Sequence, residues 1–155
     1  MGTHCDESLQ CNSTYDLLSR SLYNMSDSAF SASREPYRSR VASKSRFSDN
    51  GWQSNSHASN EWIAVNLGET RLVEAIETQG VGQVHTKNYT VSSSFAGTDA
   101  LGSVIIFDEN NKNTNIVENQ MPQPLITRHV RLAVVQHSYK AVLRWAIKGC
   151  SIPDH

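Results

Sequence analysis

The sequence predicts an all-β domain, and two patterns support this class. Short runs rich in Val, Ile and Leu recur from residue 61 onward, separated by Gly, Asn, Ser and Pro, which is typical of a β-sandwich or barrel. The chain shows neither helical heptads nor an internal repeat. With 155 residues, 38% of them hydrophobic and 19% charged, it suits one domain large enough to bury a core.

The first 60 residues predict loop-rich structure wrapped on that core. They are rich in serine, but they also contain large apolar side chains that need burial: Leu17, Leu18, Leu22, Met25, Phe30, Val41, Phe47 and Trp52.

Two strands are predicted next. "EWIAVNLG" (61–68) alternates apolar and polar residues and stops at Gly68, as a half-buried strand does. "TRLVEAIETQG" (70–80) follows after a tight connection, so we expect the two strands to pair or to lie side by side. In the second run the apolar residues Val73 and Ile76 are three apart, which predicts a bulge near Glu74 and Ala75. A short helix is the alternative there, but the Val, Ile and Thr content favours a strand.

Four further strands are predicted, at Asn88–Ser92, Ser103–Phe107, His129–Val135 and Val142–Cys150. Between the second and third of these lies "FDENNKNTNIVENQMPQPLITRH", which has four Asn between residues 110 and 115 and two Pro. These are turn-forming residues, so we interpret this segment as a long surface connection.

Charge and hydropathy exclude several functional classes. The 14 basic and 15 acidic residues nearly cancel and the pI is about 6.6, so the chain has no overall basic field to attract nucleic acid. Its apolar runs are far below the roughly 18 residues of a membrane helix. The N-terminus "MGTHCDESLQ" lacks the cationic and apolar regions of a signal peptide.

Sequons and cysteines predict an extracellular protein. Asn12, Asn24 and Asn88 each begin an Asn-X-Ser/Thr sequon, which has meaning only in the secretory pathway. Three cysteines, Cys5, Cys11 and Cys150, lie at the two ends of the chain and cannot all pair within it. A bridge from either N-terminal cysteine to the C-terminal one would suit an oxidising compartment.

Six motifs, in this order along the chain, resemble the discoidin domain family, the C-type module of coagulation factors V and VIII. They are "MSDSAFSAS" (25–33), "EPYRSRV" (35–41), "GWQ" with "NEWIAVNLG" (51–53, 60–68), "ETQG" (77–80), "PLITRHVRL" (124–132) and "LRWAIKGC" (143–150). The resemblance implies a jelly-roll β-sandwich with a disulfide joining its two ends and ligand loops at one end. Residues 11–150 would form the domain, with 1–10 as linker or added residues and 151–155 as a tail.

The family spacing favours Cys11 over Cys5 as the partner of Cys150. Leu18 and Met25 match a Leu and an Ile that follow the first family cysteine, which places Cys11 a few residues early and Cys5 much too early. Because "CDESL" imitates the family's short start, Cys5 remains the alternative partner. The third thiol is expected to be free or available to another chain.

Nothing in the sequence points to catalysis. The chain has no G-x-S-x-G, H-E-x-x-H, C-x-x-C or Gly-rich phosphate motif, and its six histidines show no ligand-like spacing. Asp49, in "SDNGWQ", is the one strong oxygen ligand where some sugar-binding relatives hold calcium. We therefore expect no enzyme activity, no cofactor and no tightly bound metal.

The predicted ligand contacts fall in loops at residues 33–40, 80–87 and 136–142. The first loop feeds a basic run that also includes Lys44 and Arg46, whose charges could hold phosphate, sulfate or carboxylate. Arg40 is expected to be structural instead, and Trp52 to support a further loop at 48–60 from beneath. The candidate contact residues are Arg34, Tyr37, Arg38, Val84, His85, His137, Tyr139 and Lys140.

The resemblance implies a non-catalytic extracellular module that binds a cell-surface or matrix protein or a glycan, as part of a larger protein. Weak binding to anionic phosphatidylserine membranes is one alternative. It ranks lower because the loops lack the long apolar tips of membrane-binding relatives, with Tyr37 the only aromatic in the first loop. A carbohydrate-binding module that targets an attached enzyme is the other alternative.

Overall fold

A computed structural model describes residues 10–23, 25–33, 40–53, 61–80, 86–94, 103–108, 116–137 and 142–152. It contains one short helix, α1 (Arg20–Tyr23), and 3₁₀ turns at Asp27–Ala29 and Ala42–Lys44. The strands are β1 (Tyr15–Asp16), β2 (Phe30–Ala32), β3 (Trp52–Gln53), β4 (Trp62–Gly80), β5 (Thr86–Ser94), β6 (Ser103–Asp108), β7 (Ile116–His137) and β8 (Val142–Ser151). The helices of these ranges are far too short to span a bilayer.

The strands form an antiparallel β-sandwich, which confirms the predicted fold class. Their hydrogen-bonded order is β1-β8-β4-β7-β5-β6, with β2 added on β4 and β3 on β8. The long strands β4 and β7 each contribute to both layers. One layer contains β2, the first half of β4, the second half of β7, β5 and β6. The other contains the remaining halves of β4 and β7 with β8, β1 and β3.

The two runs predicted as neighbouring strands are halves of the single strand β4, so the expectation that they pair was wrong. Pairing with β7 is interrupted between Asn66 and Arg71, where the strand passes from one layer to the other. Gly68 has a φ of +85°, and its N–H donates to Asn66 Oδ1 over 2.9 Å. This local turn carries β4 from one layer into the other, so its two halves lie in different layers and do not pair.

The bulge predicted near Glu74 and Ala75 is confirmed. The register of β4 shifts between Val73 and Ala75 against both β7 and β8. One extra residue there lets Val73 and Ile76 both face the core although they are three apart.

The segment interpreted as a long surface connection is largely strand, and that interpretation was wrong for residues 116–128. They form the first half of β7 and pair with β4 from Gln79 opposite Ile116 to Arg71 opposite Thr127. Pro122 and Pro124 fall where the ladder skips from Gln120 to Leu125, so they break no regular hydrogen bond. Pairing with β4 overrides the low strand propensity of this segment.

One core lies between the layers and takes residues from both halves of β4 and β7. Trp52, Tyr89 and Trp145 are the largest fully buried side chains. The N-terminal segment closes the core as predicted, since Leu17, Leu18, Met25 and Phe30 are buried. Leu22 is exposed over 61% of its surface, and Val41 and Phe47 are only half-buried, so the prediction was wrong for Leu22 and held in part for the other two.

A disulfide joins Cys11 and Cys150, which lie 139 residues apart with their Cα atoms separated by 5.8 Å. This confirms the pairing that the family spacing favoured over Cys5. The bridge lies where β8 pairs with β4 at Leu72, just after the bend. It fixes the N-terminal segment to the last strand.

Candidate ligand-binding end of the sandwich

Strand register brings the ends of the first layer together at one end of the sandwich. β2 finishes beside the start of β4, where the Ser33 N–H donates to the Trp62 carbonyl over 2.9 Å. β7 finishes at His137, opposite Thr86 at the start of β5. Ser33, the last described residue before 34–39, therefore lies at the edge where β4 begins.

The second layer finishes at the same end. β3 ends at Gln53, opposite Val142 at the start of β8, and β4 ends at Gly80, opposite Leu143. Residues 81–85 connect Gly80 to β5, and residues 138–141 connect β7 to β8. The described residues that flank four chain segments (34–39, 54–60, 81–85 and 138–141) thus lie at one end of the sandwich, which we call the loop end.

The predicted contact residues belong to these four segments and their borders. Arg34, Tyr37, Arg38, Val84, His85, Tyr139 and Lys140 lie outside the described residues. His137 is the last residue of β7, and its backbone lies at the loop end. Their role in ligand binding therefore stays a prediction.

Arg46, at the end of the basic run, is buried and does not face a ligand. Only 3% of its surface is exposed. Its guanidinium donates to the carbonyls of Leu18 (2.8 Å), Met25 (2.9 Å) and Ser43 (3.2 Å). It also lies 3.3 Å from Asp27 Oδ1 and 4.4 Å above the Phe30 ring. This arginine joins the N-terminal segment to the 3₁₀ turn at Ala42–Lys44, which is a structural role.

Arg40 and Trp52 have the supporting roles predicted for them. Arg40 donates from its guanidinium to the Asn50 carbonyl, within its own loop. Trp52 is fully buried and pairs with Leu143 on β8, so its ring cannot stack on a sugar in solvent.

A second buried tryptophan anchors the same loop to β8. The Trp145 indole N–H donates to Ser45 Oγ over 2.9 Å, and the Trp145 backbone N–H donates to the Ser45 carbonyl over 2.7 Å. Ser45 Oγ in turn donates to the Ala42 carbonyl over 2.7 Å. The backbone that leads into the loop end is therefore held by buried hydrogen bonds.

Two arginines that sequence reasoning left without a role also support this end. Arg144 donates to the Asp49 carbonyl over 2.7 Å and to Gln79 Oε1 over 3.2 Å. The Arg131 guanidinium lies 4.0 Å above the Trp62 ring, a cation–π contact between neighbouring strands. Arg131 lies between the buried Val130 and Leu132 on β7, and only the pairing of β4 with β7 identifies Trp62 as its partner.

The Asp49 region shows no cluster of acidic ligands. Within the described ranges, no group of three His, Cys, Asp or Glu side chains could hold a metal ion. Asp49 lies 3.8 Å from Arg46, so its carboxylate already faces a positive charge.

Among the described residues, the titratable groups with a shifted pKa are Asp16, Glu77 and His129. Burial raises the pKa of Asp16, with the Leu18 N–H and the charge of Lys148 opposing it. Burial also raises the pKa of Glu77, beside Lys148 and Glu118. Burial, aided by the charge of Arg128, lowers the pKa of His129, which pairs with Asn66 at the opposite end.

Comparison with known proteins identifies relatives of the same fold class. The family model described as the F5/8 type C domain matches residues 26–147. Neuropilin-1 from Rattus norvegicus is 33% identical over 124 residues, covering 73% of this chain and 13% of that protein. Coagulation factor V from Sus scrofa is 29% identical over 129 residues, covering 76% of this chain and 6% of that protein. The chain thus spans a small part of these relatives.

Solved structures share the fold at low sequence identity. Discoidin II from Dictyostelium discoideum superposes with a TM-score of 0.75 at 16% identity, covering 94% of this chain and 61% of that one. The family 32 carbohydrate-binding module of NanJ from C. perfringens, solved in complex with galactose, gives a TM-score of 0.61 at 18% identity. That comparison covers 79% of this chain and 95% of the module.

Proposed function

The chain belongs to the F5/8 type C domain family, and from this premise we propose that it is a non-catalytic extracellular recognition module. Its ligand is a cell-surface or matrix protein or a glycan, bound at the loop end. One observation carries the proposal: the described strand ends that border four chain segments of varied polar sequence lie together at one end of the sandwich. Function is typically carried by loops on such a scaffold.

The support beneath the loop end favours binding over a purely structural role for these segments. Buried side chains and backbone bonds hold the flanking residues, as Trp145 does at Ser45 and Arg144 at Asp49. Such a frame reduces the entropy lost when loops bind a ligand. A glycan ligand is further supported by the galactose complex of the NanJ module.

The test is an array of glycans and extracellular proteins probed with the whole chain, followed by affinity measurement on the hits. We expect the triple change Arg34→Ala, Tyr37→Ala and Arg38→Ala to weaken binding of a hit at least about tenfold, since anchoring Arg and Tyr side chains dominate interfaces. Arg128→Ala is the matched control, because Arg128 is exposed at the opposite end. Equal losses in both variants would reject the loop end as the binding site.

Phosphatidylserine vesicles test the membrane alternative. We expect little sedimentation of the chain with vesicles of phosphatidylcholine containing phosphatidylserine, and any binding should fall as salt rises. Salt-resistant binding specific for phosphatidylserine would replace the protein or glycan ligand with a membrane.

A further inference from the structure

A cleft of about 370 Å³ opens at the end of the sandwich opposite the loop end. One wall is the segment that follows α1, and the other is the bend of β4. Among the described residues, its lining includes Tyr23, Met25, Ser26, Ser28, Leu67, Glu69 and Arg71. Its volume lies at the lower end of the range for small-molecule sites.

The lining offers both polar and apolar contacts. Met25 and Leu67 are buried at its base, while Ser26 and Ser28 are exposed and share a hydrogen bond of 2.9 Å. Glu69 has 75% of its side chain exposed and is therefore available to accept hydrogen bonds. Hydroxyl and carboxylate groups beside an apolar base suit a ligand that combines hydroxyl and methyl groups, as an acetylated sugar does.

Arg71 gives the cleft a rigid wall. Its guanidinium donates to Ser151 Oγ over 2.6 Å, lies 3.9 Å from Glu69 Oε1 and covers the Tyr23 ring at 4.7 Å. These contacts fix the guanidinium beside the last residues of β8. A ligand in the cleft would meet a preformed surface, which lowers the entropy cost of binding.

An independent feature of the sequence points to the occupant. The sequon Asn24-Met25-Ser26 begins between two residues that line the cleft, Tyr23 and Met25, and its Ser26 lines the cleft as well. Asn24 itself lies outside the described residues. Any glycan attached to it must start within one residue of the cleft wall.

We propose that the cleft holds the first N-acetylglucosamine of the glycan attached to Asn24. The acetamido methyl group packs on the apolar base, and the ring hydroxyls bond to Glu69 and the serines. Covalent attachment keeps the sugar at a high effective concentration, so contacts too weak to bind the free sugar suffice to hold it. The glycan then becomes part of the fold at this end.

The experiment compares the rates at which an N-glycan amidase removes the Asn24 and Asn12 glycans from the whole chain made in eukaryotic cells. Each rate is divided by the rate at the same site in the reduced, denatured protein. Asn12 is the reference because it is exposed. We expect the native Asn24 glycan to be removed about tenfold more slowly, since a site that is open to the enzyme for only about one part in eleven reacts at about one eleventh of the free rate.

Two variants test the cleft itself. Ser28→Trp fills the cleft without altering the sequon and should abolish the tenfold protection, whereas Ser48→Trp, in an exposed turn elsewhere, should preserve it. Glu69→Ala is the milder change and should reduce the protection. Circular dichroism confirms that each variant folds. The proposal is wrong if peptide mapping finds Asn24 without a glycan, if the two native rates are equal, or if Ser28→Trp keeps full protection.

Discussion

Arg46 illustrates, at the scale of single residues, how a charge in a basic run becomes part of the core. Its guanidinium satisfies three backbone carbonyls and faces Asp27 and Asp49 while only 3% of its surface is exposed. A sequence shows five basic residues close together but not which of them is enclosed. That distinction depends on the N-terminal segment folding back over the 3₁₀ turn.

Replacing Arg46 with Met should destabilise the domain by about 3 kcal/mol. The change leaves the carbonyls of Leu18, Met25 and Ser43 without the guanidinium donor and removes a positive charge beside Asp27 and Asp49, and each such loss is costly. Urea unfolding followed by tryptophan fluorescence measures the effect. Arg128→Met is the control, since Arg128 is exposed. A loss for Arg46→Met no larger than that of the control would contradict the structural role.

Asp16 predicts a pH dependence of stability. Because burial raises its pKa above the ordinary 3.8, the folded chain binds more protons than the unfolded chain as pH rises from that value. The contribution of Asp16 to the free energy of unfolding therefore falls with rising pH until it is ionised in both states. We expect Asp16→Asn, which keeps an oxygen for the Leu18 N–H, to lose less stability than the wild type between about pH 4 and pH 7. Equal pH slopes in urea unfolding would refute this.

The strands, at the scale of elements, show where sequence patterns succeed and where they fail. Val142–Cys150 was predicted almost to its ends, because the buried Leu143, Trp145 and Ile147 alternate with the half-buried Arg144 and Lys148, which is the pattern of a strand with one face on the core. The first half of β7 was missed because its exposed residues and prolines resemble a loop. Its strand structure comes from pairing with β4 and not from its own propensity.

Two glycines in the paired strands are needed for different reasons: Gly149 for close packing and Gly68 for its backbone conformation. A Cβ added to Gly149 would overlap the Leu72 carbonyl on β4 and press on the Leu17 side chain. Gly149→Ala should therefore cost about 2 to 3 kcal/mol of unfolding free energy. Gly68→Ala meets no atoms but imposes a side chain on a φ of +85°, so about 1 kcal/mol is expected. Denaturant unfolding that ranks Gly68→Ala as the more damaging change would reject the tight β4–β8 contact.

At the scale of the whole molecule, the sequence predicted that ligand loops lie at one end of the sandwich but not which side chains contact the ligand. The family resemblance indicated ligand loops at one end, and the register of eight strands brings the borders of four segments together there. Which side chains touch a ligand does not follow from pattern, because polar loop residues look alike whether or not they bind. The supporting residues Arg131 and Arg144 were missed for a different reason: their partners are distant in sequence.

The disulfide closes nearly the whole chain and so should dominate global stability. The double change Cys11→Ser and Cys150→Ser opens a loop of 139 residues, which the loop-entropy relation values at about 4 to 5 kcal/mol. The effect acts mainly on the unfolded chain, so the folded structure should survive with a lower urea midpoint. Cys5→Ser is the matched control and should leave the midpoint unchanged, because Cys5 is not needed for this bridge. A large fall in the urea midpoint of the control would show that Cys5, and not Cys11, pairs with Cys150. A Cys5–Cys150 peptide in the non-reduced mass map of the wild type would show the same.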